Sequence, residues 1–167
     1  MKEGPALPLS AEETTLFATI VRALEGSGRR DIVVRVAGGW VRDKLLERAT
    51  SHVDIDLAVD GVTGEELCAI LATHVDPSAK IAVVKQNPQQ SKHLRTAIMV
   101  LCGFELNVNH LRSEHYASDS RIPLATPPAE PSVDAQRRDF TVNALYYNIH
   151  SGTRSQFSSL CISEVGI

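Results

Sequence analysis

The stretch VRVAGGWVRD (34–43), followed closely by HVDIDLAVD (52–60), decides how this chain is read. Residues 32–36 form a short β-branched run that ends on Ala37-Gly38-Gly39. Residues 40–48 then place Val41, Leu45 and their neighbours at helical spacing, which predicts strand, glycine turn and helix. Residues 53–59 alternate strictly, so Asp54 and Asp56 share one face of a predicted strand while Ile55, Leu57 and Val59 share the other. A half-buried charge costs stability unless something pairs with it. The two carboxylates are therefore either ligands for a metal ion or a solvent-facing pair on an edge strand. Gly38-Gly39 also leave two readings open. They let backbone N–H groups approach a phosphate where a helix begins, or they supply a positive φ that the turn needs.

Three familiar sites are excluded by spacing. No third glycine completes a dinucleotide-binding GxGxxG, no GK[ST] follows for a phosphate loop, and Asp54, Asp56 and Asp60-Gly61 have the wrong offsets for an EF-hand. The 167 residues suit one domain with a real core, and 43% hydrophobic with 22% charged residues is an ordinary globular balance. The net charge of −3 gives no global basic field, so contact with nucleic acid needs a local patch. Cys68, Cys102 and Cys161 are scattered without metal spacing, which points to structural thiols in a reducing, intracellular compartment. No run is long and apolar enough for a membrane span, and MKEGPALPLS at the start is not a secretory signal.

Outward from the opening stretch, elements alternate. Ser10-Ala11-Glu12-Glu13 is a capping box, and Leu16, Ile20, Ala23 and Leu24 keep helical spacing until Gly26 and Gly28. Thr63-Gly64-Glu65-Glu66 is a second capping box, opening a helix to about Thr73. Residues 81–84 resume β character, and NPQQSK (87–92) is a polar loop. Residues 96–101 and 104–111 read as a hairpin turning near Gly103. Residues 123–131 form a proline-rich connector, after which residues 134–146 have the character of a helix carrying Arg137, Arg138 and Asp139 near its start.

GGWVRD, VDIDLAVD and the later RRDFTVNAL (137–145) together resemble the head domain of the CCA-adding tRNA nucleotidyltransferases and related poly(A) polymerases. NPQQSKHLRTA, LRSEHY and SRIP resemble its eukaryotic branch. The resemblance implies an α/β (α+β) fold, a mixed β-sheet backed by helices, of the polymerase β-like nucleotidyltransferase type. Its implied parts are a helical lead-in over 1–31, the head over 32–150 and a divergent tail over 151–167, with the family's neck, body and tail domains absent. The implied activity joins CMP or AMP, from CTP and ATP, to the 3′ end of tRNA. Asp54 and Asp56 then hold two Mg²⁺ ions on the triphosphate, as hard cations that prefer carboxylate and phosphate oxygens. Gly38 and Gly39 sit against the triphosphate, and Arg42, Arg137 and Arg138 neutralise phosphate charge through forked donors. Asp43, Asp139 and Asn143 either orient those arginines, touch the ribose, or are structural.

One departure weakens the catalytic expectation. The family carries a third carboxylate five residues before the arginine matched by Arg112, and that position here is Asn107, which brings no charge and accepts no proton. Glu105, two residues away on the same strand face, is the candidate replacement. Two expectations follow: a nucleotidyltransferase, or a non-catalytic metal-, nucleotide- or partner-binding module derived from such a head.

Overall fold

A computed structural model describes residues 2–4, 6–48, 54–78, 80–85, 95–113, 115–116, 123–125, 127–138 and 141–156. Helix α1 (Ala11–Gly26) starts where Ser10 Oγ accepts the Glu13 N–H and the Glu13 side chain accepts the Ser10 N–H, the reciprocal bonds of the expected box. Its Leu16, Phe17, Ile20, Ala23 and Leu24 are all buried, one stripe of a 3.6-residue repeat. Strand β2 (Val33–Ala37) leads through Gly38 into the short helix α2 (Gly39–Leu45). Strand β3 (Ile55–Asp60) follows, then helix α3 (Gly64–His74), capped by Thr63 and Glu66 as expected. Strands β4 (Ile81–Lys85), β5 (Arg95–Leu101) and β6 (Phe104–His110) complete this half. Cys102 and Gly103 take φ of 51° and 85° in the two-residue turn of the β5–β6 hairpin. Cys102 is therefore an exposed turn residue and not a core thiol, whereas Cys68 is buried and its thiol is pushed up to about 11 by burial.

After the small β7 (His115–Tyr116) and β8 (Pro123–Ala125) ribbon, which occupies part of the proline-rich connector, the chain departs from the sequence reading. The single helix expected over 134–146 is instead helix α4 (Pro131–Gln136), a one-turn 3-10 helix (Thr141–Asn143) and strand β9 (Leu145–Asn148). Pro131 occupies the first turn of α4, where its missing N–H costs nothing, so the helix starts earlier than Asp134. Leu145, Tyr146 and Tyr147 are buried on both faces of a sheet, and a continuous apolar run of that kind has no period that separates strand from helix. Strand β10 (Thr153–Gln156) then pairs with β9 and with β1 (Lys2–Gly4).

Among the described residues the sheet has eight strands in the order β1-β10-β9-β2-β3-β6-β5-β4, with every neighbouring pair antiparallel except β3 and β6. That mixed sheet is the expected one. Its two faces differ. Ile55, Leu57 and Val59 of β3 join Leu106 and Val108 of β6, α1, α3 and the Phe17–Trp40–Tyr147 aromatic cluster in the main core. Each fully buried large aliphatic there is worth about 1.5–3 kcal/mol. The opposite face carries only a thin second core under α4, built from Ala37, Ala58, Leu111, Ala135, Ala144 and Tyr146. Beside it on that face lie Asp56, Asn107 and Asn109, with Ile98 and the exposed Val100 of β5 next to them.

Candidate active site

The alternation expected around Asp54 and Asp56 is realised. Asp54 lies immediately before β3, and Asp56 lies on the polar face while Ile55 and Leu57 are 0% and 1% exposed. Val53 falls outside the described residues. The parallel register sets Asp56 beside Asn107, whose side chain hydrogen-bonds the Asp56 carboxyl. Burial pushes that carboxyl above its ordinary value of 3.8. The Asn107 bond and the Arg138 charge pull it back, and the neighbouring Asp54 charge pushes the same way as burial. A carboxylate that its surroundings disfavour, beside a second exposed carboxylate, is a donor set with uncompensated negative charge, and it fits a hard divalent cation. Glu105 shares the face of Asn107 but is exposed, pairs with Val100 and does not line the cleft described below. Among the described residues no three His, Cys, Asp or Glu side chains gather as a metal-binding group.

Gly38 and Gly39 lie beside two guanidinium groups. Gly38 has φ of +74°, so the turn needs a residue without a Cβ, and an added Cβ would stand 3.6 Å from Arg138 Nη1. A Cβ on Gly39 would stand 3.5 Å from Arg42 Nη2. Arg42 forks onto Asp43 through Nε and Nη2 at 2.8 and 3.1 Å, and its Nη1 donates to Asn143 Oδ1 at 3.2 Å. The Arg42 hydrogen bonds hold the Asp43 carboxyl below its ordinary value. Asp43 and Asn143 thus act together on one guanidinium, although they are distant in sequence.

Arg137 and Arg138 converge on an acid that reading the sequence did not single out. Asp134 is 1% exposed. Its Oδ1 accepts Arg137 Nε at 2.8 Å and Nη2 at 2.6 Å, and its Oδ2 accepts Arg138 Nε and Nη2 at 3.2 and 3.1 Å. Tyr146 Oη donates to the same Oδ2 at 2.6 Å, and the Arg112 backbone N–H donates to Oδ1 at 3.2 Å. Arg138 Nη1 also reaches the Asn143 carbonyl, which closes the link back to the glycine turn. The available signal was the spacing: an acid three and four residues before two arginines, one helical turn away. Asp139 lies outside the described residues.

Between β3, β6 and α4 is a cleft of about 460 Å³ whose lining includes Asp56, Asn109, Arg112, Asp134, Arg137 and Arg138. Thr96, also in the lining, donates to Asn109 Oδ1 at 2.7 Å. The lining brings Asp56, whose charge is not neutralised by an ion pair among the described residues, into one cleft with Arg112 and with Arg137 and Arg138, which Asp134 holds, and this combination suits a polyanion bridged to a cation.

The comparisons agree with this geometry. A CCA tRNA nucleotidyltransferase, mitochondrial, of Candida glabrata is 42% identical over 139 residues, covering 78% of this chain and 26% of its own length. The nucleotidyltransferase lcsQ of Purpureocillium lilacinum is 38% identical over 176 residues, covering 95% of this chain and 29% of its own. The chain therefore spans between a quarter and a third of these curated relatives. Among solved structures, a CCA-adding enzyme in apo form II superposes with a TM-score of 0.71 at 24% identity, covering 89% of this chain and 32% of that one, which shows the same fold. The family described as Poly A polymerase head domain matches residues 34–158, and the chain belongs to that family.

Proposed function

We propose that this chain is the nucleotide-binding and catalytic head of a tRNA nucleotidyltransferase, which joins CMP and AMP from CTP and ATP to the 3′ end of tRNA. The observation that carries the proposal is the lining of the cleft, which brings Asp56, next but one to Asp54 in the chain, together with Arg112, Arg137 and Arg138. The curated relatives named as CCA tRNA nucleotidyltransferases support it, and so do the solved neighbours titled as complexes with a primer tRNA, CTP and ATP. The mitochondrial names of two relatives fit an intracellular setting, and no described helix is long and apolar enough to cross a membrane. The head proper is proposed over 32–150, with 1–31 as its helical lead-in and 151–167 as its tail.

In this reading Asp54 and Asp56 are the catalytic acids and would hold Mg²⁺, which when bound supplies charge neutralisation on the triphosphate and acidifies the attacking hydroxyl. Arg137 is fixed by Asp134, and Arg138 by Asp134 and Tyr146, so the two guanidinium groups meet the phosphates without reorganising. Arg42, held by Asp43 and Asn143, stands over Gly38 and Gly39 and supplies a further forked cation. Asp139 belongs to the same motif and is proposed at the nucleotide. Glu105 is retained as the proposed third acid because it lies on the face of Asn107.

The amide at Asn107, in register with Asp56, favours a second reading in which the head binds metal and nucleotide but transfers nothing. Calorimetry of ATP and CTP with Mg²⁺ and in EDTA, followed by incorporation of labelled nucleotide onto tRNA lacking its 3′ end, separates the two. Binding that needs Mg²⁺ and fails in Asp54→Ala and Asp56→Ala is expected. Binding of equal strength in EDTA overturns both readings, and metal-dependent binding without incorporation selects the second.

A further inference from the structure

Glu13 is a 3% exposed acid that no step above uses, and it lies outside the 34–158 family match. Its Oε2 accepts the Ser10 N–H at 2.7 Å and Lys44 Nζ at 2.6 Å, and its Oε1 accepts Trp40 Nε1 at 2.9 Å. Two of these three donors belong to α2. Trp40 is 7% exposed and packs against Phe17 and Tyr147, and the Lys44 ammonium lies 5.5 Å from the centre of its ring. Helix α2 has seven residues, too few to be stable by itself, so its position depends on what anchors it. Trp40 and Lys44 are one turn apart on one side. Arg42, two residues on from Trp40, projects from about the opposite side, where it meets Asp43 and Asn143.

We propose that Glu13 is a positioning residue for nucleotide: through Trp40 and Lys44 it fixes the helix that carries Gly39 and Arg42, and so sets affinity for the triphosphate from the N-terminal helix. The inference rests on the reading that residues 38–42 face the triphosphate. A carboxylate is required because three donors, one of them a cation, meet two oxygens. A glutamine keeps one acceptor, turns its N–H₂ toward the remaining donors and leaves Lys44 unpaired.

The test uses the whole chain in three forms: wild type, Glu13→Gln and, as a control for lost stability alone, Leu71→Val in the core of α3. Mg²⁺–ATP affinity is measured by calorimetry well below each melting temperature, and amide hydrogen exchange is followed in the nucleotide-free proteins. Glu13→Gln is expected to weaken Mg²⁺–ATP at least fivefold and to lose protection over 38–46 while α3 keeps its own. Leu71→Val is expected to bind as wild type does. Lys44→Met added to Glu13→Gln removes the unpaired ammonium and is expected to recover part of the affinity. Unchanged protection over 38–46 in Glu13→Gln overturns the positioning role whatever the nucleotide result. Equal weakening by Leu71→Val at matched loss of melting temperature reduces Glu13 to a stability residue. A wild-type chain that does not bind Mg²⁺–ATP overturns the nucleotide reading and the affinity claim with it, while the exchange data still judge the anchor.

Discussion

Replacing Asp134 by Asn tests the arginine pair of the cleft most directly. Asp134 accepts five side-chain hydrogen bonds, from Arg137, Arg138 and Tyr146, while almost wholly buried. Removing one partner of a buried ion pair costs about 3–5 kcal/mol because the other charge is left uncompensated. Here the two arginine side chains are 19% and 21% exposed and can rehydrate in part, and an asparagine oxygen still accepts the Tyr146 hydroxyl, so the low end applies, about 3 kcal/mol. For a domain of this size that is a fall in melting temperature of about 6–12 °C. Differential scanning calorimetry reads it, with Tyr146→Phe as a comparison expected to lose about 2 kcal/mol, since its hydroxyl donates to Asp134 and accepts Arg138 Nε but the ion pair between those two stays. The acid limb should change as well. Burial raises the Asp134 carboxyl, but the Tyr146 hydrogen bond and the Arg137 and Arg138 charges outweigh it and leave the carboxyl below its ordinary 3.8. The stability it contributes is complete above that ordinary value and is lost as pH falls through the lower folded value, so Asp134→Asn should flatten the decline below about pH 4. A variant that melts within about 2 °C of wild type, with an unaltered acid limb, would refute the claim that this carboxylate holds the two arginines.

Four further outcomes are expected. Gly38→Ala forces an L-residue to φ of +74° and should cost at least about 1–2 kcal/mol of stability, from the backbone and not from crowding, since the new Cβ stands 3.6 Å from Arg138 Nη1; urea titration reads it. Asn107→Asp adds a carboxylate in register with Asp56 and should tighten Mg²⁺–nucleotide binding by about 1–2 kcal/mol, roughly 5- to 30-fold by calorimetry, after the cost of crowding a third acid is subtracted. Asp56→Asn should raise the melting temperature of the metal-free protein slightly near neutral pH while abolishing metal-dependent nucleotide binding. The raised folded value of Asp56 means that ionising it disfavours the fold as pH rises through that value. His150, whose Nε2 accepts the Val34 N–H at 3.1 Å, is held below its ordinary 6.5 by burial and by the Arg35 charge. Stability should therefore fall as pH drops below about 6.5, and His150→Gln should remove that part of the dependence, read by melting at stepped pH.

Most of the sheet's polar face was legible because strand alternation leaves little choice: once Ile55, Leu57 and Val59 are inside, Asp54 and Asp56 cannot be. The two capped helices were legible for a similar reason, since a capping box is a local hydrogen-bond pattern written in four residues. Residues 134–146 were not, because the run from Ala144 to Tyr147 is apolar on both sides and its partner strands, β2 and β10, are remote from it or follow it in the chain. Asp134 escaped with it. Its role depends on Tyr146, which becomes its neighbour only once the chain has reversed from α4 into β9. Glu13 and Trp40 meet across 27 positions of sequence, and nothing local in either segment announces the contact.

Two acids that line one cleft, Asp56 on strand β3 and Asp134 on helix α4, have opposite electrostatic fates, and the contrast explains where chemistry is placed. Asp134 is buried more deeply than Asp56, yet its carboxyl is held down because five hydrogen bonds and two guanidinium groups satisfy it inside the protein. Asp56 is more exposed, yet the burial it has and the neighbouring Asp54 charge push its carboxyl up, and the Asn107 hydrogen bond and the Arg138 charge only partly offset them. The first arrangement spends its charge internally and yields rigidity, with the arginine forks fixed where the cleft needs them. The second leaves charge unspent at a small cost in stability, and unspent negative charge on a rigid strand is what an incoming cation can use. A single substitution at each acid should therefore move stability in opposite directions while weakening nucleotide binding at both, a pattern that damage to a common core would not produce.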